Sequence, residues 1–420
     1  MTTPPALIAA GMGGKPVILA IFAITYLGIA LGRVPGLKLN RVGIALLGAI
    51  AMMIFGGWST ANATSCINWP TILLLFGFFV ISAQLRLSGF YDQVAGAISA
   101  RLGHPARFLL VLMVVSGGLS AFLNNDVVCV VFAPIIGTAL LRKQINPVPF
   151  LIALAISSNI GAAATIIGNP QNMMIGQIVH LSFGDYLLWS IVPVVFALAA
   201  AYGIIWMLSK KNLQTTLPAQ NGADWQGHPF NLRHTIKGLV ILAVVVGLFF
   251  TGLPKEIIAL AAAGIHLASP KFRTEDLLGL IEWPILVMFM ALFVITGAFE
   301  STGYADQAAQ WLAHSGFDLD VPRNLALATA ALSNLISNSA AVMMLLKVIN
   351  LSHPATAYIL ALANSFGGNL IIIGAISNII VVQQAREMNI NISFRDFARL
   401  GVPVTLAALA GLIAWTALMG

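Results

Sequence analysis

The residues best able to do chemistry in this chain are one aspartate, a set of asparagines and serines, and the glycines beside them. Asp126 closes Leu123-Asn124-Asn125-Asp126, which interrupts a long apolar stretch. Ile336-Ser337-Asn338-Ser339 interrupts a later stretch in the same way. Behind each comes a second interruption. The first, residues 157–172, holds Ser158, Asn159, Gly161, Thr165, Gly168, Asn169, Pro170 and Asn172. The second, residues 364–378, holds Asn364, Ser365, Gly367, Gly368, Asn369, Gly374, Ser377 and Asn378. Glycine lets a backbone unwind or approach closely. Proline removes a donor, and Asn and Asp side chains compete for backbone hydrogen bonds. Irregular backbone at membrane depth survives only where it is buried or lines a polar cavity.

These segments therefore read as a solute site. The expected substrate-binding groups at the two tips are Asn124, Asn125, Ser337 and Asn338. Ser158, Asn159, Thr165, Asn169 and Asn172 would line the first break. Asn364, Ser365, Asn369, Ser377 and Asn378 would line the second. Gly161, Gly168, Pro170, Gly367, Gly368 and Gly374 would interrupt the backbone. Half-helix N-termini carry partial positive charge, and freed carbonyls can hold a cation. No Lys or Arg lies at the breaks, so a fixed positive counter-charge is expected to be absent. Such a site suits a small anion or a neutral molecule rich in hydroxyl groups.

Asp126 is the only carboxylate placed at a tip. A charged residue inside a bilayer is costly and marks function. Two roles fit it: carrying a coupling proton, or capping the second hairpin arm. Its counterpart in the second half is Ser339, so a proton role would belong to one half only. Arg86, Glu300 and Lys347 read as interfacial anchors of helix ends. Cys129, three residues past Asp126, reads as a small buried side chain, since one thiol cannot chelate alone. The His residues show no HxxxH spacing, so no metal site is expected.

The elements that must position these groups follow from composition. The chain has 420 residues, 59% hydrophobic and 8% charged, against roughly a quarter charged in soluble domains. It reads as an all-α polytopic membrane protein. The net charge of +7 is scattered over loops and reads as topology signal rather than as a nucleic-acid surface. The two cysteines make no disulfide framework. CxxC, HExxH, Walker and GxSxG patterns are missing, so no soluble enzyme class has support. An intramembrane enzyme would need a catalytic partner for Asp126, and the sequence offers none.

A span needs about 20 apolar residues. Spans are expected at about 16–33, 43–60, 69–89 and 184–208, then at about 236–252, 255–269, 283–302 and 397–418. Amphipathic pieces are expected at 91–102 and 303–315. Re-entrant hairpins fall at about 107–141 and 322–349, and broken helices at about 148–181 and 353–385. This gives about ten transmembrane helices, two of them broken, plus two hairpins. The chain divides into a first repeat (1–208), a linker (209–235) and a second repeat (236–420).

The repeat is visible by eye. Ile67, Trp69 and Pro70 fall on Ile281, Trp283 and Pro284; Asp92-Gln93 falls on Asp306-Gln307. Arg86 falls on Glu300 and Asn125 on Asn338, while Gly161, Gly168 and Asn172 fall on Gly367, Gly374 and Asn378. Matched interrupted segments in two halves point to a transporter's binding site. With the first connection cytoplasmic, most Lys and Arg, including Arg33, Arg41, Arg101 and Lys211, fall inside. Only Lys15, Lys255, Arg323 and Lys347 fall outside. The halves are then inverted, and both termini are extracytoplasmic.

These motifs resemble the ion transporter superfamily, which contains arsenite/antimonite efflux permeases and divalent anion:sodium symporters. LNNDVVCVVFAPII (123–136) looks like the Asn-Asp hairpin motif of arsenite permeases. SSNIGAAATIIGNPQNMMIG (157–176) is similar to the Ser-Asn plus Gly-x-Pro-x-Asn pattern of the superfamily. The second copy, IIIGAISN (371–378), lacks the prolines of the dicarboxylate branch, and NSFGGN (364–369) lacks its Ser-Asn-Thr triplet. The resemblance implies a homodimer working as an elevator in the bacterial inner membrane. Helices 1, 2, 6 and 7 would form its scaffold. It implies proton-coupled efflux of arsenite or antimonite, a small inorganic substrate. The alternatives are sodium- or proton-coupled transport of another anion or dicarboxylate, or sodium/proton exchange. It implies no organic cofactor, with H+ as coupling ion and Na+ as the alternative. A cytoplasmic ATPase partner stays open.

Overall fold

The computed structural model describes residues 14–32, 38–100, 103–210, 227–269 and 271–419. Among them the chain is all-helical. The first half contains α1 (Lys15–Leu31), α2 (Arg41–Ile54), α3 (Thr60–Cys66), α4 (Trp69–Leu87) and α5 (Phe90–Ser99). Then come α6 (Pro105–Phe122), α7 (Asn125–Arg142), α8 (Val148–Ala162), α9 (Pro170–Ile178) and α10 (Phe183–Ser209). The second half contains α11 (Leu232–Leu248), α12 (Lys255–Leu267), α13 (Thr274–Gly279), α14 (Trp283–Ser301) and α15 (Tyr304–His314). It ends with α16 (Pro322–Ile336), α17 (Asn338–Leu345), α18 (Pro354–Gly367), α19 (Ile376–Glu387) and α20 (Phe394–Met419).

Local chemistry sets the starts. Proline occupies the first turn of α4, α6, α8, α9, α14, α16 and α18, where its missing N–H costs nothing. Asn or Ser side chains cap α2, α3, α4, α7, α9, α10 and α11, taking up orphan N–H groups.

Among the described residues, six helices are long and apolar enough to cross a membrane: α4, α6, α7, α10, α14 and α20; α1, α2 and α8 are shorter apolar helices. The span expected at 43–60 stops at Ile54, before Gly56 and Gly57, the latter at φ 71°. Ser59 then caps a separate helix, which Cys66 ends. α13 was not expected, and α12 has only 13 residues. α11 begins at Leu232, inside the expected linker; residues 211–226 of that linker lie outside the described residues. Arg33, Arg101 and Lys211, used for the orientation, lie there too.

Helices meet in matched pairs. α6 packs on α8 and α16 on α18, while α4 packs on α12 and α14 on α2. The α6–α8 seam has no room for a side chain at Gly161. A Cβ on Gly161 would overlap the backbone of Gly117, and one on Gly367 would overlap that of Ala330. The two backbone breaks are braced alike. Asn172 Nδ2 donates to the carbonyls of Ala162 (3.3 Å) and Thr165 (3.1 Å), ten and seven residues back. Asn378 Nδ2 donates to those of Gly368 (2.7 Å) and Ile371 (3.2 Å), again ten and seven residues back.

Candidate functional site

The four interruptions converge. α6 and α7 meet at Leu123-Asn124; α16 and α17 meet at Ser337. α8 and α9 are separated by residues 163–169, and α18 and α19 by 368–375, with a short 3-10 turn at Ile372–Gly374. The first residues of α7, α9, α17 and α19 all line one cavity, through Asn125, Asp126, Pro170, Gln171, Asn338, Ser339, Ile376 and Ser377. Four helix N-termini therefore face one small volume, each contributing partial positive charge. The starts of α7 and α9 are capped by Asn124 and Asn169. Those of α17 and α19 have no side-chain cap, so their N–H groups remain available to a solute. Ser337 sits at φ 93°, a conformation that strains any residue but glycine. The cavity measures about 30 Å³ and is only partly enclosed.

Asn159 ties the halves together. Its Nδ2 donates to Asn369 Oδ1 (2.9 Å) and Asn378 Oδ1 (2.9 Å), while its Oδ1 accepts from Asn125 Nδ2 (3.0 Å) and Ser377 Oγ (2.6 Å). Asn169 Nδ2 donates to Ser365 Oγ (3.0 Å), and Gln171 Nε2 to Ser339 Oγ (2.8 Å).

The structure sorts the expected groups into two sets. Asn125, Asp126, Asn159, Asn169, Pro170, Ser337, Asn338, Ser365, Gly374 and Ser377 line the cavity. Asn124, Ser158, Thr165, Asn172, Asn364, Asn369 and Asn378 lie behind it, since none of them lines it. Most are spent on bracing. Ser158 bonds Ser120 (2.6 Å), Thr165 Oγ1 donates to the Ala121 carbonyl, and Asn172 and Asn378 hold the breaks. Asn364 is fully buried, and its amide makes no hydrogen bond among the described residues. Gly161, Gly168, Gly367 and Gly368 likewise permit close backbone approach and do not line the cavity.

Three findings differ from the sequence expectation. Asp126 is not the cap of α7: Asn124 is, its Oδ1 accepting from Asp126 N at 2.9 Å. The Asp126 carboxyl is left free to face the cavity, at 5% exposure. A fixed cation is present, because Arg41 from the start of α2 reaches the cavity and donates to the Ile373 carbonyl at 3.3 Å. The sequence expectation placed Arg41 in a loop, because only folding brings α2 beside the second break. Gln171 and Ser339 also line the cavity. Gln171 stands beside Pro170, and Ser339 is the Asp126 counterpart, signals the sequence did hold.

Away from the cavity, Glu300 and Lys347 form an ion pair of 2.6 Å rather than two separate anchors. Cys129 is fully buried among apolar side chains.

A family profile described as citrate transporter matches residues 17–362. An uncharacterized transporter of Mycobacterium tuberculosis is 30% identical over 95% of this chain and 97% of its own length. The silicon efflux transporter LSI3 of Oryza sativa subsp. japonica is 26% identical over 93% of this chain and 95% of its own. Among solved structures, the YdaH transporter of Alcanivorax borkumensis superposes with a TM-score of 0.62. It is 14% identical and covers 96% of this chain and 98% of its own. MtrF of Neisseria gonorrhoeae gives 0.54 at 12% identity, over 96% and 95%. At that identity these structures speak for the fold alone.

Proposed function

This chain belongs to the citrate transporter family of membrane transporters, and on that premise we propose that it is a proton-coupled secondary transporter of a small oxyacid, exporting arsenite or antimonite through the cavity between the four helix starts. The observation that carries this reading is Asp126. It is the only carboxylate lining the cavity among the described residues, it is buried, and it is released from capping by Asn124. A group that gains and loses one proton beside the solute links the two fluxes. The amides and hydroxyls of Asn125, Asn338 and Ser377 match the hydroxyls of a small oxyacid. One relative is named a silicon efflux transporter. Asn159 and Asn169 hold both breaks so that their N-termini stay aimed at it.

A second reading, carriage of a small anion, is favoured by Arg41 and by the description of the family. We further propose the inverted, dimeric arrangement in a bacterial inner membrane, with both termini outside. The test is flux in proteoliposomes of the purified chain, comparing arsenite with citrate under imposed proton and sodium gradients. Arsenite flux that follows the proton gradient supports the first reading. Flux that ignores it, or follows sodium alone, removes it.

A further inference from the structure

Arg41 is the one cationic side chain lining the cavity among the described residues. Its backbone is held because Asn40 Oδ1 caps α2, accepting from Gly43 N at 3.0 Å. Its side chain crosses to the Ile373 carbonyl with one nitrogen, Nη1, at 3.3 Å. A guanidinium has five N–H donors and no acceptor, so that bond leaves donors for a solute. The neighbouring surface is electropositive as well, since the uncapped starts of α17 and α19 border the same space. An independent feature asks for a donor: Asn125 is 6% exposed, lines the cavity, and its Oδ1 has no hydrogen-bond partner.

We propose that Arg41 is the specificity-determining residue of this cavity, selecting solutes that carry an ionised oxygen beside a hydroxyl. The ionised oxygen accepts from the guanidinium and the helix starts; the hydroxyl donates to Asn125 Oδ1. Among the described residues, Arg41 and Asp126 are the charged groups that line this space. With Asp126 protonated, the lining holds one net positive charge, which favours an anionic oxygen at Arg41. With Asp126 ionised, the side chains of the lining carry no net positive charge to offset an anion. Anion and proton therefore bind together. This inference rests on the cavity being the solute site, and it sharpens the anion reading above.

The test uses the full chain, purified in detergent, with ligand-induced thermal shifts as readout. The probes are citrate, an anion bearing a hydroxyl; tricarballylate, which lacks that hydroxyl; and arsenite, uncharged at neutral pH. Wild type should bind citrate more tightly than tricarballylate. Arg41→Gln should weaken citrate about tenfold or more, the scale of a lost charge-assisted hydrogen bond, and should weaken arsenite, which is uncharged, less. Arg41→Lys should fall between them. Equal losses for all three probes, or no citrate binding by the wild type, would overturn the proposal. Asn159→Ala and Ser377→Ala separate the two levels of inference. If neither changes the affinity of any probe, the solute site lies elsewhere and the Arg41 proposal falls with it.

Discussion

Asn159 and Asn378 meet at 2.9 Å, one from each half of the chain, and Asn159 spends every remaining hydrogen bond on the same junction. An amide that satisfies four partners in a buried site is costly to remove. Each stranded polar group costs about 1–3 kcal/mol. Asn159→Ala should therefore lower the melting temperature in detergent more than Ser365→Ala, which strands one group. Equal melting shifts for the two would show that the junction is not cooperative.

Gly161→Ala and Gly367→Ala should behave as a pair. Each Cβ would overlap backbone across a hairpin seam, and overpacking of this kind costs about 1–3 kcal/mol or more. Gly118→Ala is the control, with open space at its Cβ. The yield of folded, membrane-inserted protein should drop for the first two and hold for the third.

Asp126→Asn separates coupling from architecture. Asn124 supplies the cap, so the variant should fold, bind solute and lose proton-driven flux. Vesicles that retain normal flux driven by a pH gradient would remove Asp126 from the coupling step.

Ser337→Gly makes a two-sided prediction. The left-handed conformation at φ 93° costs a serine about 1 kcal/mol, and glycine relieves it. The variant should melt higher, yet transport more weakly because a lining hydroxyl is gone. A variant that melts lower would refute the strain.

The Glu300–Lys347 pair supplies a contrast. Lys347 and Glu300 are 31% and 54% exposed, and pairs of this kind are worth about 0–1 kcal/mol. Lys347→Ala should barely move the melting temperature or the flux. A loss comparable to that of Asn159→Ala would contradict its peripheral place.

Much of this was legible in the sequence, because the rules that break helices are local. Gly168, Pro170 and Gly374 mark the breaks, and Asn124 and Ser337 mark the tips, with no tertiary knowledge required. What was not legible depends on approach. Arg41 reads as a loop cation until α2 lies beside Ile373. Asn172 and Asn378 read as lining groups until their amides are seen to clasp carbonyls. Capping is one of two roles the sequence leaves open for Asp126, and Asn124, two residues earlier, holds the cap. Short helices such as α3 and α13 carry too few residues for any periodicity to show.

The seams at Gly117–Gly161 and Ala330–Gly367 also have a mechanical consequence. Backbone lies on backbone there, with no layer of side chains that could slip. Each hairpin and its broken helix would thus behave as a slab, and Asn159 rivets one slab to the other. A change in which side of the membrane reaches the solute would cost least along the outer rim of this block. The rim is held by single bonds: Tyr26 hydroxyl to the Ala340 carbonyl at 3.3 Å, and Arg41 to Ile373. The exposed Arg41 bond can be traded for water at small net cost.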